Sequence, residues 1–268
     1  MKPATNSKLS VIFPAYNKDL EVFRVVCNYV EELKHLPYDW EIIVVDDASK
    51  DKTLREAVRG KKFNGNTRRI KIFSYNINQG KGFALNYGFK KSSGDVVAFV
   101  DSDLDLPSIN FRVLLSEFTK SNPDIVIGSK RHPLSQVKYP ITRRFLSKCY
   151  QLFIRLLFNT SISDTQVGLK VFKREVLEEC LQRLVIKQFA FDLELLVVAK
   201  MLGYNEIIEA PIILNYNFSS TIRPQAIFAI LVDTLAIYYR KNILNYYKVP
   251  HFRLEDNQVI ITKQTAFI

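Results

Sequence analysis

Three cysteines are all that 268 residues carry, and Cys27, Cys149 and Cys180 lie far apart, odd in number and at no metal-binding spacing. They argue against a disulfide scaffold and fit a reducing compartment, where each is by default a buried small hydrophobe. Histidine is as scarce: His35, His132 and His251 form no ligand cluster. Long apolar runs are missing too. The most hydrophobic stretch, 226–232, is broken by Asp233 and resumes only to Tyr239, short of the roughly 20 apolar residues that cross a bilayer. Residues 1–8 run straight into an apolar strand, so no signal peptide is expected. No internal repeat, low-complexity tract, RNP-like element, zinc knuckle or GXXG loop appears, so nucleic acid is not an expected partner.

What remains is a chain with 47% hydrophobic and 24% charged residues, enough for one large α/β domain or one domain with an appendage. Its net charge of +11 calls for polyanionic partners. The cations cluster beside apolar residues, as in Arg143-Arg144-Phe145-Leu146-Ser147-Lys148 and Tyr238-Tyr239-Arg240-Lys241. That mixture favours an anionic membrane surface over a phosphate backbone.

Strands and helices alternate through the first half. Strands are expected at 9–13, 41–45, 70–73 and 95–100, with helices at 19–36, from 49 onward, and at 82–91. The first helix would turn Leu20, Phe23, Val26, Val30 and Leu33 inward. This βαβ rhythm predicts a Rossmann-like, mostly parallel sheet with right-handed crossovers. A helix at 110–120 and a strand at 124–128 follow. Beyond Pro140 the expectation is a helix over 142–158 with Phe145, Leu146, Phe153, Ile154, Leu157 and Phe158 on its apolar face. A strand at 167–172, a helix at 189–202, an edge strand at 207–214 interrupted by Pro211, and an amphipathic helix over 224–247 complete the pattern. We divide the chain into a catalytic domain over 1–215, an interfacial helical segment over 216–249 and an unassigned tail over 250–268.

Chemistry concentrates at the carboxyl ends of four successive strands, where open α/β sheets hold their ligands. Val96-Val97-Ala98-Phe99-Val100 ends in Asp101-Ser102-Asp103, with Asp105 just behind. Close carboxylates repel unless a hard cation holds them, and Mg²⁺ or Mn²⁺ takes one or two carboxylates plus phosphate oxygens. The bland alternative is an Asp-rich helix cap, with Asp105-Leu106-Pro107 opening the next helix. Pro14-Ala15-Tyr16-Asn17 offers an aromatic for a base, Asp46 or Asp47 a carboxylate for base or ribose donors, and Asn78-Gln79-Gly80-Lys81-Gly82 a turn near phosphates. Each piece alone could be a core aromatic, a cap or a turn. Their joint occurrence points to a metal–nucleotide pocket.

In these motifs, and in Ile127-Gly128-Ser129-Lys130-Arg131, Asp164-Thr165-Gln166-Val167-Gly168-Leu169-Lys170-Val171-Phe172 and Phe189-Ala190-Phe191-Asp192-Leu193-Glu194-Leu195-Leu196, the chain resembles the inverting GT-A glycosyltransferases of family 2. The polyprenyl- and dolichyl-phosphate sugar synthases are the nearest group, and the last two motifs look like β-glucosyltransferases more than mannosyltransferases. Asp105 departs from the Gln usual in mannosyl synthases. The resemblance implies that Pro14, Tyr16, Asn17 and one of Asp46 or Asp47 hold the nucleoside of a nucleotide-sugar donor, to whose binding Ser102 also contributes. Lys81 would lie near sugar or phosphate, and Asp101, Asp103 and Asp105 would hold Mg²⁺ or Mn²⁺. Lys130, Arg131, Arg143, Ser147 and Arg223 would bind the acceptor's lipid phosphate.

The activity so implied is inverting transfer of a hexose, glucose from UDP-glucose, to a dolichyl or polyprenyl phosphate. The alternatives are a GDP-mannose-dependent synthase and a transferase acting on a glycan or glycolipid hydroxyl. A phosphate monoester is already ionised at neutral pH and attacks without a general base. Asp164 and Asp192 are therefore expected to orient Arg or Lys donors or sugar hydroxyls. The two amphipathic helices would dock the protein peripherally on a cytoplasmic membrane face, unless both simply pack on the sheet as core.

Overall fold

The computed structural model describes residues 7–137, 141–188, 190–215 and 224–251. The expected acceptor ligand Arg223 lies outside these residues, as do the Arg143 side chain and the tail from 252. The chain separates at Leu104/Asp105 into two compact units.

The first unit alternates strictly: β1 (Lys8–Ala15), α1 (Val22–Lys34), β2 (Asp39–Asp46), α2 (Thr53–Phe63), β3 (Ile70–Ser74), α3 (Lys81–Lys90) and β4 (Val96–Val100). Its strands lie in the order β3-β2-β1-β4, every pair parallel. Val11, Ile12, Phe13, Ile42, Ile43, Val44, Val45, Val97 and Ala98 are wholly buried, as strands covered on both faces require. Helix α1 starts later than expected and turns Val22, Val25, Val26, Tyr29, Val30 and Leu33 inward. Leu20, expected in that stripe, sits in the preceding turn and is 80% exposed. Gly88 lets α3 press onto the sheet: a Cβ there would stand 2.5 Å from Ile12 Cγ2.

At the end of the sheet away from the motifs, Glu41 is buried. Its Oε1 accepts from Ser10 Oγ at 2.7 Å and Ser93 N at 2.6 Å, and its Oε2 from Lys71 Nζ at 2.7 Å. Burial pushes its carboxyl up, but Lys71, Ser10 and Ser93 outweigh that and hold it at about 2. A carboxyl lowered by folding stabilises above its unfolded value and loses that stability as pH falls through the folded one. Acid unfolding should thus show a slope between about pH 4.5 and 2 that Glu41→Gln flattens. Coincident acid limbs for the two proteins, followed by circular dichroism, would remove Glu41 from that role.

The second unit carries α4 (Ile109–Ser121), β5 (Ile125–Ser129), β6 (Gln136–Val137), α5 (Ile141–Phe158), β7 (Leu169–Lys173), α6 (Arg174–Leu181), α7 (Phe191–Met201), β8 (Ile207–Pro211), β9 (Ile213–Leu214) and α8 (Pro224–Asn242). Strand β5 lies between antiparallel β7 and parallel β8, and β6 pairs with β9. The expected edge strand over 207–214 is two strands, because β8 ends at Pro211, which has no N–H to continue the ladder. Helix α6 and strand β6 had no counterpart in the sequence pattern, being eight and two residues long.

Helix α8 ends at Asn242, short of the expected 247, and a 3₁₀ turn at Tyr246–Lys248 follows Asn245 at φ 51°. That turn is anchored: Tyr247 is wholly buried and donates to Glu194 Oε1 at 2.7 Å.

Candidate active site

In the first unit, parallel register brings the motif-bearing strand ends level, with Ala15 opposite Asp46 and Asp46 opposite Ser74. Asp47 N–H donates to Ala15 O at 2.8 Å, and Asn17, in the left-handed region at φ 51°, spans to the next loop. It donates its N–H to Ser49 Oγ at 3.0 Å and accepts from Lys50 N at 2.9 Å. Tyr16 stands beside this staple, 42% exposed, and Pro14 is buried in β1.

The two neighbouring aspartates separate cleanly. Asp47 accepts from Tyr75 Oη at 2.8 Å, Gln79 N at 2.7 Å, Asn78 Nδ2 at 2.9 Å and Gly80 N at 2.8 Å. Both oxygens are taken, so Asp47 is the anchor of the 78–80 turn. Asp46 is held less fully, by Ser74 Oγ at 2.8 Å and a long contact from Ser49 N at 3.3 Å. Gly80, at φ 92°, completes the turn in a conformation that suits glycine and caps α3, which places Lys81 in its first turn. The sequence pattern missed Tyr75, whose phenol is raised above its ordinary value by burial and then by the Asp47 charge.

Lys81 Nζ lies 2.8 Å from Asp101 Oδ1, with both side chains about a third exposed. Ser102 turns inward, its Oγ donating to Pro14 O at 2.7 Å, so it ties β4 to β1 instead of offering a hydroxyl to solvent. On α1, burial first, and then the charges of Asp103, Glu32 and Asp101, raise the Tyr29 phenol. The donor set is therefore hard oxygen near an amine cation, which suits Mg²⁺ or Mn²⁺ held by one or two carboxylates. Among the described residues no group of three or more His, Cys, Asp or Glu is gathered as a metal site.

In the second unit the helix-cap alternative for Asp105 fails, because α4 begins at Ile109 with Ser108 in the cap position. The Asp105 carbonyl accepts from Asn215 N at 2.8 Å. Lys130 meets Asp164 twice, its N–H at 3.0 Å from Oδ2 and its Nζ also at 3.0 Å from Oδ2. Arg131 reaches α5, donating to Ser147 O at 2.6 Å and Ser147 Oγ at 3.0 Å. Lys130, Arg131, Ser147 and Asp164 thus form one group.

Asp192 lies apart from that group's hydrogen bonds, buried against Lys170 Nζ at 2.6 Å. Both aspartates are therefore placed on lysine amines. Glu194, wholly buried, is a further residue that sequence reasoning passed over; burial raises its carboxyl while Tyr247 and the Val185 and Ile186 N–H groups hold it down.

The glycosyl transferase family 2 model matches residues 10–181. The chain belongs to that family. A dolichyl-phosphate beta-glucosyltransferase of Dictyostelium discoideum is 32% identical over 75% of this chain and 64% of its own length. A dolichyl-phosphate beta-glucosyltransferase of Trichomonas vaginalis is 31% identical over 87% of this chain and 74% of its own. The chain thus spans about two thirds to three quarters of these relatives. Glucosyl-3-phosphoglycerate synthase from Mycobacterium tuberculosis, solved with Mn²⁺, UDP-glucose and phosphoglyceric acid, superposes with a TM-score of 0.66 at 18% identity, covering 91% of this chain and 81% of that one. The family 2 chain therefore shares that α/β, GT-A-like fold.

Proposed function

We propose that this family 2 glycosyltransferase moves glucose from UDP-glucose to a dolichyl or polyprenyl phosphate with inversion at the anomeric carbon. The observation that carries the reading is the Lys81–Asp101 pair at 2.8 Å, on the turn that Asp47 holds. An amine and a carboxylate there match a diphosphate and its divalent cation together. The names of the two relatives supply the sugar and the acceptor.

In this reading Tyr16 packs on the base, Asp46 accepts from base or ribose, and Pro14 and Asn17 shape the cradle. Asp47 and Ser102 act through the turns they hold. Asp101 and Asp103 would hold Mg²⁺ or Mn²⁺, Asp105 being the third carboxylate of the same sequence motif; the bound ion would supply electrostatic relief for the departing diphosphate. Lys130 and Arg131 place positive charge for the acceptor's phosphate; Arg143 and Arg223 are assigned the same role by resemblance alone. Asp164 keeps the Lys130 amine in place, at 3.0 Å. The acceptor is already an anion, so alignment and charge neutralisation suffice. A panel of UDP- and GDP-sugars with short polyprenyl phosphates tests this by labelled lipid product. UDP-glucose should be the productive donor; product only with GDP-mannose, or only on a glycan hydroxyl, overturns it.

The protein also docks on a membrane surface in this reading. Among the described residues no helix is long and apolar enough to cross a membrane. Helix α5 buries Gln151, Ile154 and Phe158 but exposes Phe145, Cys149, Leu152 and Leu156 along one stripe. The face expected from sequence is thus divided: Phe145 and Leu146 point outward. Helix α8 buries Thr234 and Ile237 and exposes Phe228, Val232, Leu235 and Tyr239 along another. The two helices meet through Tyr150 Oη and Thr234 Oγ1 at 2.9 Å and through the Phe158 and Tyr238 rings. Arg144, Lys148 and Arg155 are exposed beside the first stripe, each worth about 1 kcal/mol near an anionic surface. Co-sedimentation with phosphatidylserine vesicles should be strong at low salt and partly lost at high salt, the apolar share persisting. Leu152→Ser with Leu156→Ser should remove that persistent share. No sedimentation at low salt would leave both helices as packing elements only.

A further inference from the structure

Within the second unit lies a cavity of about 310 Å³ that the proposed transfer reaction does not use. Its apolar walls are Phe158 and Ile162 at the end of α5 and in the loop after it, and Leu193, Leu196 and Val197 on α7, with Met201 beyond them. All but Met201 are buried in the protein. The polar lining is Asn159, Thr160, Thr165 and two lysines, of which Lys200 is exposed and Lys241 half-buried. Lys200 Nζ has only a long contact to Asn159 O at 3.4 Å, and Lys241 Nζ lies 5.8 Å from the Phe158 ring centre. Neither has a carboxylate partner among the described residues. Thr165 also lines the cavity; it is 1% exposed and its Oγ1 has no hydrogen-bond partner.

The buried, unpaired Thr165 hydroxyl is incomplete as packing, and the two solvent-reaching amines beside it are free to meet an anion. Leaving a buried hydroxyl unpaired costs stability. Apolar walls with a few convergent polar groups are the makeup of a ligand site, and the volume lies at the lower end of the range for such sites. We propose that this cavity binds a single-chain anionic lipid, its hydrocarbon between Ile162 and the α7 leucines and its acidic head between Lys200 and Lys241. Charge-assisted contacts to the two amines supply selectivity for an anion, and the walls supply selectivity for a chain. Neither half alone explains the site.

The test is a calorimetric titration of the whole protein with 1-oleoyl lysophosphatidic acid below its micellar concentration. 1-Oleoyl glycerol carries the same chain without charge, and inorganic phosphate the same charge without a chain. Saturable binding of the lysophosphatidate alone is expected. Lys200→Glu with Lys241→Glu should weaken it by roughly a hundredfold, two charge-assisted contacts being lost. Leu196→Trp should block it by filling the chamber; should that variant not fold, the surface lysine pair decides. Leu152→Ser, on the outer stripe of α5, should leave the titration unchanged and so separates the cavity from the docking surface. Equal affinity for the neutral glyceride or for phosphate, no saturation, or an unaltered isotherm in the lysine variant each overturns the assignment.

Discussion

Asp103→Ala should lower turnover by about a thousandfold, the size of effect seen when one electrostatic stabiliser is removed from a preorganised site, and the protein should stay folded. Asp103 lies past the end of β4, and the strand's own anchor, Ser102 Oγ on Pro14 O at 2.7 Å, is untouched by the change. What changes is the charge around Lys81. With both aspartates the strand end offers two carboxylates to a divalent cation; with Asp101 alone one remains, and that one is already 2.8 Å from the Lys81 amine. Affinity for Mn²⁺ in the presence of UDP should therefore fall together with turnover, which a magnetic-resonance titration of Mn²⁺ reads without any product assay. Wild-type protein in excess EDTA should likewise be inactive and recover with Mg²⁺ or Mn²⁺. Full activity in EDTA, or a variant that turns over normally, removes the strand-end aspartates from metal binding.

The repeating part of the fold could be read directly. Runs such as Ile42-Ile43-Val44-Val45 have no polar face, and only a strand covered on both sides tolerates that. The four motifs were legible for a related reason, since turns at successive parallel strand ends necessarily meet at one edge. Individual roles inside the motifs were not. Asp46 and Asp47 look interchangeable in sequence, and only the approach of Tyr75 and Asn78, 28 and 31 residues onward, makes Asp47 the turn's anchor.

In the second unit α4, α5 and α7 were placed well, α6 was missed and α8 was drawn too long, and the helix faces were read less well than the helices. Periodicity finds an apolar stripe but cannot say which neighbour covers it, and α5 has more apolar surface than one neighbour hides. Its inner face includes the polar Gln151, which donates to Ile162 O at 2.6 Å, while Leu152 and Leu156 face outward. Leu20 failed for a simpler reason: it fits the period, but the helix begins two residues after it. Thr165 was quoted within a motif and given no role, because an unpaired hydroxyl is visible only once its surroundings are built.

Lys170→Met should cost about 3–5 kcal/mol of stability, the usual result of leaving one half of a buried ion pair uncompensated. Lys170 in β7 and Asp192 in α7 are 1% and 6% exposed, with Nζ and Oδ1 2.6 Å apart, and the amine also donates to Val167 O at 2.5 Å. With lysine gone, the buried Asp192 carboxylate loses the amine that stands 2.6 Å from it. The double variant Lys170→Met, Asp192→Leu removes both charges and should recover most of the loss, since apolar side chains of similar volume often replace buried pairs without penalty. Denaturant unfolding of the two single variants and the double variant measures this directly. Activity then separates two roles for Asp192. A purely structural pair predicts that the refolded double variant turns over normally. The orienting role expected from the sequence predicts that it binds UDP as tightly as the wild type yet has a lower kcat. Full turnover in that stable double variant would take Asp192 out of the reaction.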